Sequence, residues 1–247
     1  MSLFVIIPAR YGSSRFPGKP LVKIAGKPMI QHVMERAAAA PGVAGVAAAT
    51  DDERIAKAVA AFGGRAVMTH GALRSGSDRA AQAADLLELS SDTLVVNVQG
   101  DQPLLPTQVI GQTAAPLLAD PAVMMTTPVV AITRPEEIGD PNHVKVALSA
   151  ENDALYFSRA AIPFPRDGET ITYYKHLGVY IYRREFLAAF AGLPTGRLEE
   201  IEKLEQLRAL EAGHRVRCVI TEHDSPEVDR PEDAARVAAI LQRTAVP

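Results

Sequence analysis

The chain has 247 residues, 47% of them apolar and 22% charged, with a net charge of −3 and one cysteine, Cys218. That length suits one large domain with a sizeable core, and the composition excludes a disordered or fibrous chain. One cysteine permits neither an intrachain disulfide nor a cysteine-based zinc cluster, and a mildly acidic chain with no Trp and 5% aromatics is not expected to bind nucleic acid.

Residues 3–7 (LFVII) form a short β-branched apolar run suited to a strand buried on both faces. No basic leader precedes it and no apolar run reaches the ~18 residues of a membrane span, so no membrane insertion is expected and a cytoplasmic protein is. A Gly- and Pro-rich loop follows, then a helical pattern over about 29–40. Residues 43–49 read as a weak second strand. Asp51 or Asp52 is placed to cap the helix DERIAKAVAAF, which stops at Gly63–Gly64. Residues 65–69 form a third strand, and Ser75 or Ser77 opens the helix DRAAQAADLLEL. Residues 93–98 (TLVVNV) are the strongest buried strand, followed by a helix over about 107–118 and a strand around 124–132. This alternation predicts an α/β fold: a mainly parallel sheet with helices on both faces.

The rhythm breaks over about 140–183. Residues 143–148, 154–158 and 176–182 read as strands with no helix between them, an antiparallel excursion in the place of a dimer arm. It is expected to be an insertion within a single domain spanning 1–247. Helices over about 184–191 and 198–212, a strand over 215–221 and a helix from Pro231 to about Arg243 complete the chain. On the helix over 198–212, Ile201, Leu204, Leu207 and Leu210 mark the buried stripe, with Glu205 and Gln206 at its edges.

The charge is unevenly placed. No acidic residue precedes Glu35, whereas Arg10, Arg15, Lys19, Lys23 and Lys27 do, and such a stretch repels itself unless something anionic shares it. The loop PARYGSSRFPGKP leaves the carboxyl end of the first strand, where open α/β sheets bind ligands. Gly12 and Gly18 allow close backbone approach, and Ser13 and Ser14 supply hydroxyls. Arg10, Arg15 and Lys19 supply cations suited to a triphosphate. Neither G-x-x-x-x-G-K-[ST] nor G-x-G-x-x-G occurs, which disfavours a P-loop and a dinucleotide-dependent oxidoreductase.

Other candidates have two readings. Asp101, beside Gly100 after the strongest strand, suits a turn or a Mg²⁺ site, since Mg²⁺ takes one or two carboxylates plus phosphate oxygens. Asp229 reads by itself as a helix-start residue, with Pro231 at the first helical position. Arg230 is a poor cap, so that helix start is expected to be loosely fixed. Ser75 and Ser77 suit caps, Arg79 a surface position, Tyr180 the core, and a lone His176 a structural role. Cys218 lies in an apolar strand and G-x-S-x-G is absent, so no covalent nucleophile is evident.

The segments PARYGSSRFPGKPL, GKPMIQHV, SGSDR, VNVQGDQP, ALYFSRAAIP, HLGVYIYR and IEKLEQLR occur in that order. From residue 5 to VDRPED at residue 228 the chain resembles the 3-deoxy-manno-octulosonate (Kdo) cytidylyltransferases, the CMP-Kdo synthetase family. The resemblance implies a Rossmann-like nucleotidyltransferase sheet and a homodimer. It also implies transfer of CMP from CTP to the anomeric hydroxyl of Kdo, releasing pyrophosphate, for lipopolysaccharide synthesis. Ala9, Arg10, Ser13, Arg15, Lys19, Arg74, Ser75 and Gln99 match the family's nucleotide contacts. Gln99, Arg159, His176, Tyr180, Glu205 and Gln206 match its sugar contacts. Asp101 and Asp229 match its Mg²⁺ ligands, and with Arg10, Arg15 and Lys19 they form the implied catalytic set.

Two departures stand out. The family more often has Glu at position 102 and Thr at position 230, where this chain has Gln102 and Arg230. Gln102 removes one outer anion and is not expected to abolish metal binding. The nearest alternative is a cytidylyltransferase for a related acid sugar, 8-amino-Kdo or a sialic-type acid. A hexose 1-phosphate pyrophosphorylase would carry a longer G-x-G-x-R loop, absent here. A non-catalytic nucleotide-binding protein would have little use for Lys19, Asp101 and Asp229 together.

Overall fold

The computed structural model describes residues 1–12 and 16–244. In chain order the strands are β1 Leu3–Ala9, β2 Lys23–Ile24, β3 Lys27–Pro28, β4 Val43–Thr50, β5 Arg65–Met68 and β6 Leu94–Val98. Then come β7 Met125–Ala131, β8 Lys145–Leu148, β9 Ala154–Ser158, β10 Tyr174–His176, β11 Val179–Arg183 and β12 Arg217–Thr221. The α-helices are α1 Met29–Ala38, α2 Glu53–Ala61, α3 Gly76–Leu86, α4 Thr107–Ala119, α5 Glu136–Gly139, α6 Arg184–Gly192, α7 Arg197–Glu202, α8 Leu207–Glu211 and α9 Pro231–Thr244.

Among the described residues, ten strands form one sheet in the order β5-β4-β1-β6-β11-β7-β10-β8-β9, with β12 also paired to β7. The run β5-β4-β1-β6 is parallel, as the strand–helix alternation requires. Both faces of β1 are covered, which is why it reads as an unbroken apolar run. Val5 and Ile7 pack with α1 and α4, while Ile6 packs with α3 and the aromatic side chains of α6. The chain leaves β1 for β4 on one side, and β6 lies on the other. The crevice beyond the carboxyl ends of β1 and β6 is therefore a topological switch point, where such sheets bind ligands.

The antiparallel strands expected in the middle of the chain are present and extend this same sheet. β11 lies between β6 and β7, with Val179 opposite Val98 and Tyr180 opposite Asn97. β10 pairs with β7, β8 with β10, and β9 forms the edge. The continuous strand expected over 176–182 is interrupted. The chain turns at Leu177–Gly178, where Val179 N donates to Leu177 O, and β11 starts afresh against β6.

The single helix expected over 198–212 is also broken. Lys203 adopts φ 56°, ending α7, and Ile201, assigned to the buried stripe, is 65% exposed. Tertiary contacts override the period here. Arg208 of α8 grips Glu199 of α7 through two bonds of 2.8 and 2.6 Å, and its Nη1 reaches Asp78 on α3 at 2.7 Å. The break turns Glu205 and Gln206 towards α3 and β11.

The caps resolve cleanly. Asp52 rather than Asp51 caps α2, accepting from Arg54 N at 2.9 Å, and Ser75 rather than Ser77 caps α3, accepting from Asp78 N at 3.1 Å. The start of α9 is firmly held despite Arg230. Asp233 Oδ2 accepts from Asp229 N at 3.0 Å and Arg230 N at 2.9 Å. Arg79, expected at the surface, is buried at 1% exposure and bonded to Thr69 and Asp51.

Candidate active site

Lys19 begins a short 3₁₀ turn after Gly18, whose φ of 71° favours glycine. Gly18 N donates to Tyr11 O at 2.9 Å and draws the loop back on itself. A Cβ at Gly18 would press on the Tyr11 ring at 3.2 Å. Asp101 follows β6 in the tight segment Gly100–Asp101, and a Cβ at Gly100 would lie 3.1 Å from Pro8 O. Asp229 arrives from the far end of the chain. A small apolar cluster of Ile24, Met29, Val228, Ala234 and Val237 seats α9 and the preceding segment against the β2–β3 hairpin. Val228 N also donates to Asp101 O at 2.9 Å.

These three segments meet at one point. Lys19 Nζ lies 2.8 Å from Asp101 Oδ2 and 3.3 Å from Asp229 Oδ1. Burial opposes the Lys19 charge, yet the two carboxylates outweigh it and raise its pKa above the usual 10.5. Glu227 adjoins them. Burial, reinforced by the charges of Asp101 and Asp229, pushes its carboxyl up to about 8, and Gln102 Nε2 donates to Glu227 Oε1 at 3.2 Å.

Two carboxylates converging on one cation form an oxygen donor set of the kind Mg²⁺ takes when phosphate oxygens and water complete its shell. No cluster of three or more His, Cys, Asp or Glu side chains arranged for a metal occurs among the described residues. The residues present therefore fit Mg²⁺ that shares its coordination with a phosphate ligand.

Asp101 and Asp229 also line a cleft of about 730 Å³ that runs past Glu227, Arg159 and His176. Its far wall is loop 140–143, whose carbonyls are held by two cations. Lys145 Nζ donates to Asp140 O at 2.8 Å and His143 O at 2.6 Å, and Arg159 Nη1 donates to Pro141 O at 2.8 Å. Burial lowers the Lys145 pKa. The His176 ring packs between Phe157 and Tyr180, with centroids 5.4 and 5.1 Å away. Burial pushes its pKa down to about 3, so the imidazole is neutral at pH 7. Thr127 gives its hydroxyl proton to Val179 O, so its oxygen accepts from His176 Nε2–H at 2.9 Å, leaving Nδ1 as an acceptor.

A second polar group lies at the amino end of α3. Glu205 Oε2 accepts from Ser77 N at 3.0 Å, and its carboxyl pKa is raised by burial against the pull of Ser75 and Ser77. Tyr180 donates to Gln206 Oε1 at 2.9 Å, while Ser77 shares a hydrogen bond of 2.7 Å with Tyr182 and accepts from Asn97 at 3.1 Å. Burial raises the pKa values of both tyrosines, which remain neutral donors. Gln99 spans the gap between the two groups. A Cβ at Gly76 would lie 3.1 Å from its Nε2, and one at Gly178 would lie 3.0 Å from its Cγ.

A basic loop, paired aspartates and a polar helix start thus surround the switch point of the sheet. Residues 4–217 match the family model described as "Cytidylyltransferase". The chain belongs to the cytidylyltransferase family. It is 58% identical to a 3-deoxy-manno-octulosonate cytidylyltransferase of Desulfatibacillum aliphaticivorans over 98% of this chain and 99% of that one. It is 55% identical to an 8-amino-3,8-dideoxy-manno-octulosonate cytidylyltransferase of Shewanella piezotolerans over 94% and 96%. The fold is that of a solved CMP:2-keto-3-deoxy-manno-octonic acid synthetase complexed with CTP, with a TM-score of 0.92 and 42% identity over 99% and 100% of the two chains.

In this cytidylyltransferase the sequence-predicted residues fall into distinct places. Lys19, Asp101 and Asp229 meet directly, and Arg159 and His176 share the cleft with the two aspartates. Gln99, Ser75, Tyr180, Glu205 and Gln206 gather around the start of α3 and β11. Ala9 is buried at the end of β1, where it pairs with Thr50. Arg10 is exposed and donates to Leu73 O. Ser13 and Arg15 lie outside the described residues.

Arg74 is tied to α3 and α6. Its guanidinium pairs with Asp78 at 3.0 Å and donates to Ala191 O at 2.9 Å and Leu193 O at 3.1 Å, anchoring the end of α6. Ser75 is occupied as a helix cap. Glu227 was not a sequence candidate. Its one signal was alternation: Glu227 and Asp229 flank the apolar Val228 in an extended segment, which places both on one side.

Proposed function

We propose that this cytidylyltransferase transfers CMP from CTP to the anomeric hydroxyl of Kdo and releases pyrophosphate. The observation that carries the reading is the convergence of Lys19, Asp101 and Asp229 at the carboxyl ends of β1 and β6. The Desulfatibacillum relative, 58% identical, is named for this reaction, and the Shewanella relative, 55% identical, for CMP transfer to the 8-amino form of the sugar.

In this reading Ala9 backbone, Ser75 and Gln99 face the cytosine, and Arg10, Ser13, Arg15 and Lys19 face the phosphates. Arg74 then acts through α3 and α6, by its bonds to Asp78 and the α6 carbonyls. Arg159, His176, Tyr180, Glu205, Gln206 and Gln99 bind the sugar acid. The Kdo hydroxyl attacks the α-phosphorus in line, so no covalent enzyme intermediate is required. Cys218 is buried and its thiol is pushed up to about 12, which suits a packing role.

Lys19 balances the carboxylate charge before substrate arrives and neutralises the leaving phosphates during transfer. Asp101 and Asp229 would hold Mg²⁺. When bound there, Mg²⁺ would offset charge on the phosphate oxygens and orient the sugar hydroxyl. Neutral His176 presents Nδ1 as an acceptor to a sugar hydroxyl.

A homodimer is part of the proposal. Leu155 on the edge strand β9 and Phe164 beyond it are 63% and 83% exposed, which supports a second copy packing on the segment 140–183. The single domain and the arm-like insertion at about 140–183 belong to the same reading. No helix among the described residues is long and apolar enough to cross a membrane, and the polar substrates favour the cytoplasm.

The test is pyrophosphate release from CTP with Mg²⁺ in the presence of Kdo, 8-amino-Kdo or a sialic-type acid, with ATP, GTP and UTP in parallel. Release with CTP and Kdo is expected. Release only with 8-amino-Kdo would keep the nucleotide site and reassign the acceptor pocket, as the Shewanella relative's name favours. CTP binding without any turnover would point to a binding protein.

A further inference from the structure

We propose that Lys175 is a positioning residue for the acceptor half of the reaction, acting by clamping the loop that carries Asp229 against the cleft wall. The inference rests on the CMP transfer proposed above. Lys175 lies on β10, one residue before His176, and is 5% exposed. Its ammonium donates to Glu137 Oε2 on α5 at 2.7 Å and to Asp224 Oδ2, just beyond β12, at 2.8 Å. A strand, a helix and a loop are thereby joined by one cation. All three side chains line the cleft that Asp101 and Asp229 also line.

The segment from Asp224 to Asp229 is thus held at both ends. At its far end, Val228 N is bonded to Asp101 O at 2.9 Å. At its near end the tie is Lys175, and Asp224 Oδ1 closes the turn by accepting from Ser225 N at 2.8 Å. Ser225 and Val228 are buried, so the segment is packed as well as tied. Arg134 pairs with the same Glu137 and balances the second carboxylate.

A buried ammonium is costly to desolvate, and replacing a whole buried ion triad by well-packed apolar side chains is often neutral or stabilising, although removing one member alone strands its partners. An ion triad joining three walls therefore makes most sense as a geometric device. Its near neighbours are His176 of the acceptor side, adjacent in sequence, and Asp229, which ends the clamped segment between the phosphates and the acceptor. The remaining nucleotide contacts stand on other elements, the loop after β1 and the start of α3. Displacing Asp229 or His176 by ~1 Å can cost ~10²-fold in rate.

The experiment is steady-state kinetics of K175M, K175R, D224N and the K175M/D224N double variant, with CTP and Kdo varied separately. CTP affinity by calorimetry and Tm are read on the same preparations. D224N and K175M are expected to lower kcat/KM for Kdo by about tenfold or more while CTP affinity stays within about twofold. K175R is expected to recover most of the loss, and the double variant to lose no more than K175M. If K175M fails to fold, D224N and K175R carry the test. D224N with unchanged Kdo kinetics overturns the proposal. So does a loss shared equally by CTP and Kdo that tracks a falling Tm, the signature of a merely structural role. Wild-type protein that binds CTP but shows no turnover with any acid sugar overturns the CMP-transfer reading itself, and this inference with it.

Discussion

Lys19 and Asp101 stand 82 positions apart in the chain and meet at 2.8 Å. The contact joins the loop after β1 to the loop after β6, the two strands flanking the switch point, and Asp229 closes it from a third segment. Each partner is chemically useful because of the other two. The ammonium keeps two carboxylates close without mutual repulsion, and the carboxylates keep the ammonium charged.

Removing either partner should separate catalysis from folding. D101N and K19M leave a partly exposed site, so Tm should move by only a few degrees. Pyrophosphate release should fall by ~10²–10³, as for loss of one charge-stabilising group. Near-normal turnover in either variant would refute their assignment to the reaction.

The triad of Asp78, Glu199 and Arg208 should behave in the opposite way. Arg208 is 1% exposed and ties α3, α7 and α8 together, with its guanidinium 4.7 Å over the Phe190 ring. R208M strands buried Glu199, leaves Asp78 with Arg74 alone, and should cost about 3–5 kcal/mol in urea denaturation. A loss under about 1 kcal/mol would show that the break between α7 and α8 has another cause.

His176 sets an acid limb on stability. Its folded pKa is pushed down to about 3 from an ordinary 6.5. Between those values the unfolded chain binds a proton that the folded chain does not, so stability from this group is complete above pH 6.5 and is lost as pH falls below it. Denaturation midpoints of wild type and H176Q between pH 7.5 and 4.5 check this. The wild type should fall more steeply, by up to about 1.4 kcal/mol per pH unit for one full proton. Parallel curves would remove His176 as the cause.

Gly178 is the place where β11 approaches Gln99 and Gln102. An alanine Cβ there would lie 3.0 Å from Gln99 Cγ and 3.2 Å from Gln102 Nε2. G178A should fold, because these are side-chain neighbours that can shift. Turnover should drop by about 10- to 100-fold through displacement of Gln99. A fully active G178A would mean that the placement of Gln99 does not matter to the reaction.

The parallel half of the fold was legible in the chain because its physics is local. Apolar runs such as LFVII and TLVVNV announce strands covered on both faces, and the pairs Asp51/Asp52 and Ser75/Ser77 announce helix starts, between which the structure chose Asp52 and Ser75. The basic loop, Asp101 and the family resemblance were legible for the same reason: each is a short contiguous pattern. What the sequence could not contain was distance. The kink at Gly178 and the break at Lys203 run against local periodicity, since pairing with β6 and the grip of Arg208 reward them from far along the chain. No local pattern marks Glu227, Lys175 or Arg208 as part of a site. Tertiary structure alone buried them, because burial depends on which segments the sheet brings together, and burial is what turns an ordinary charge into a constraint on the site.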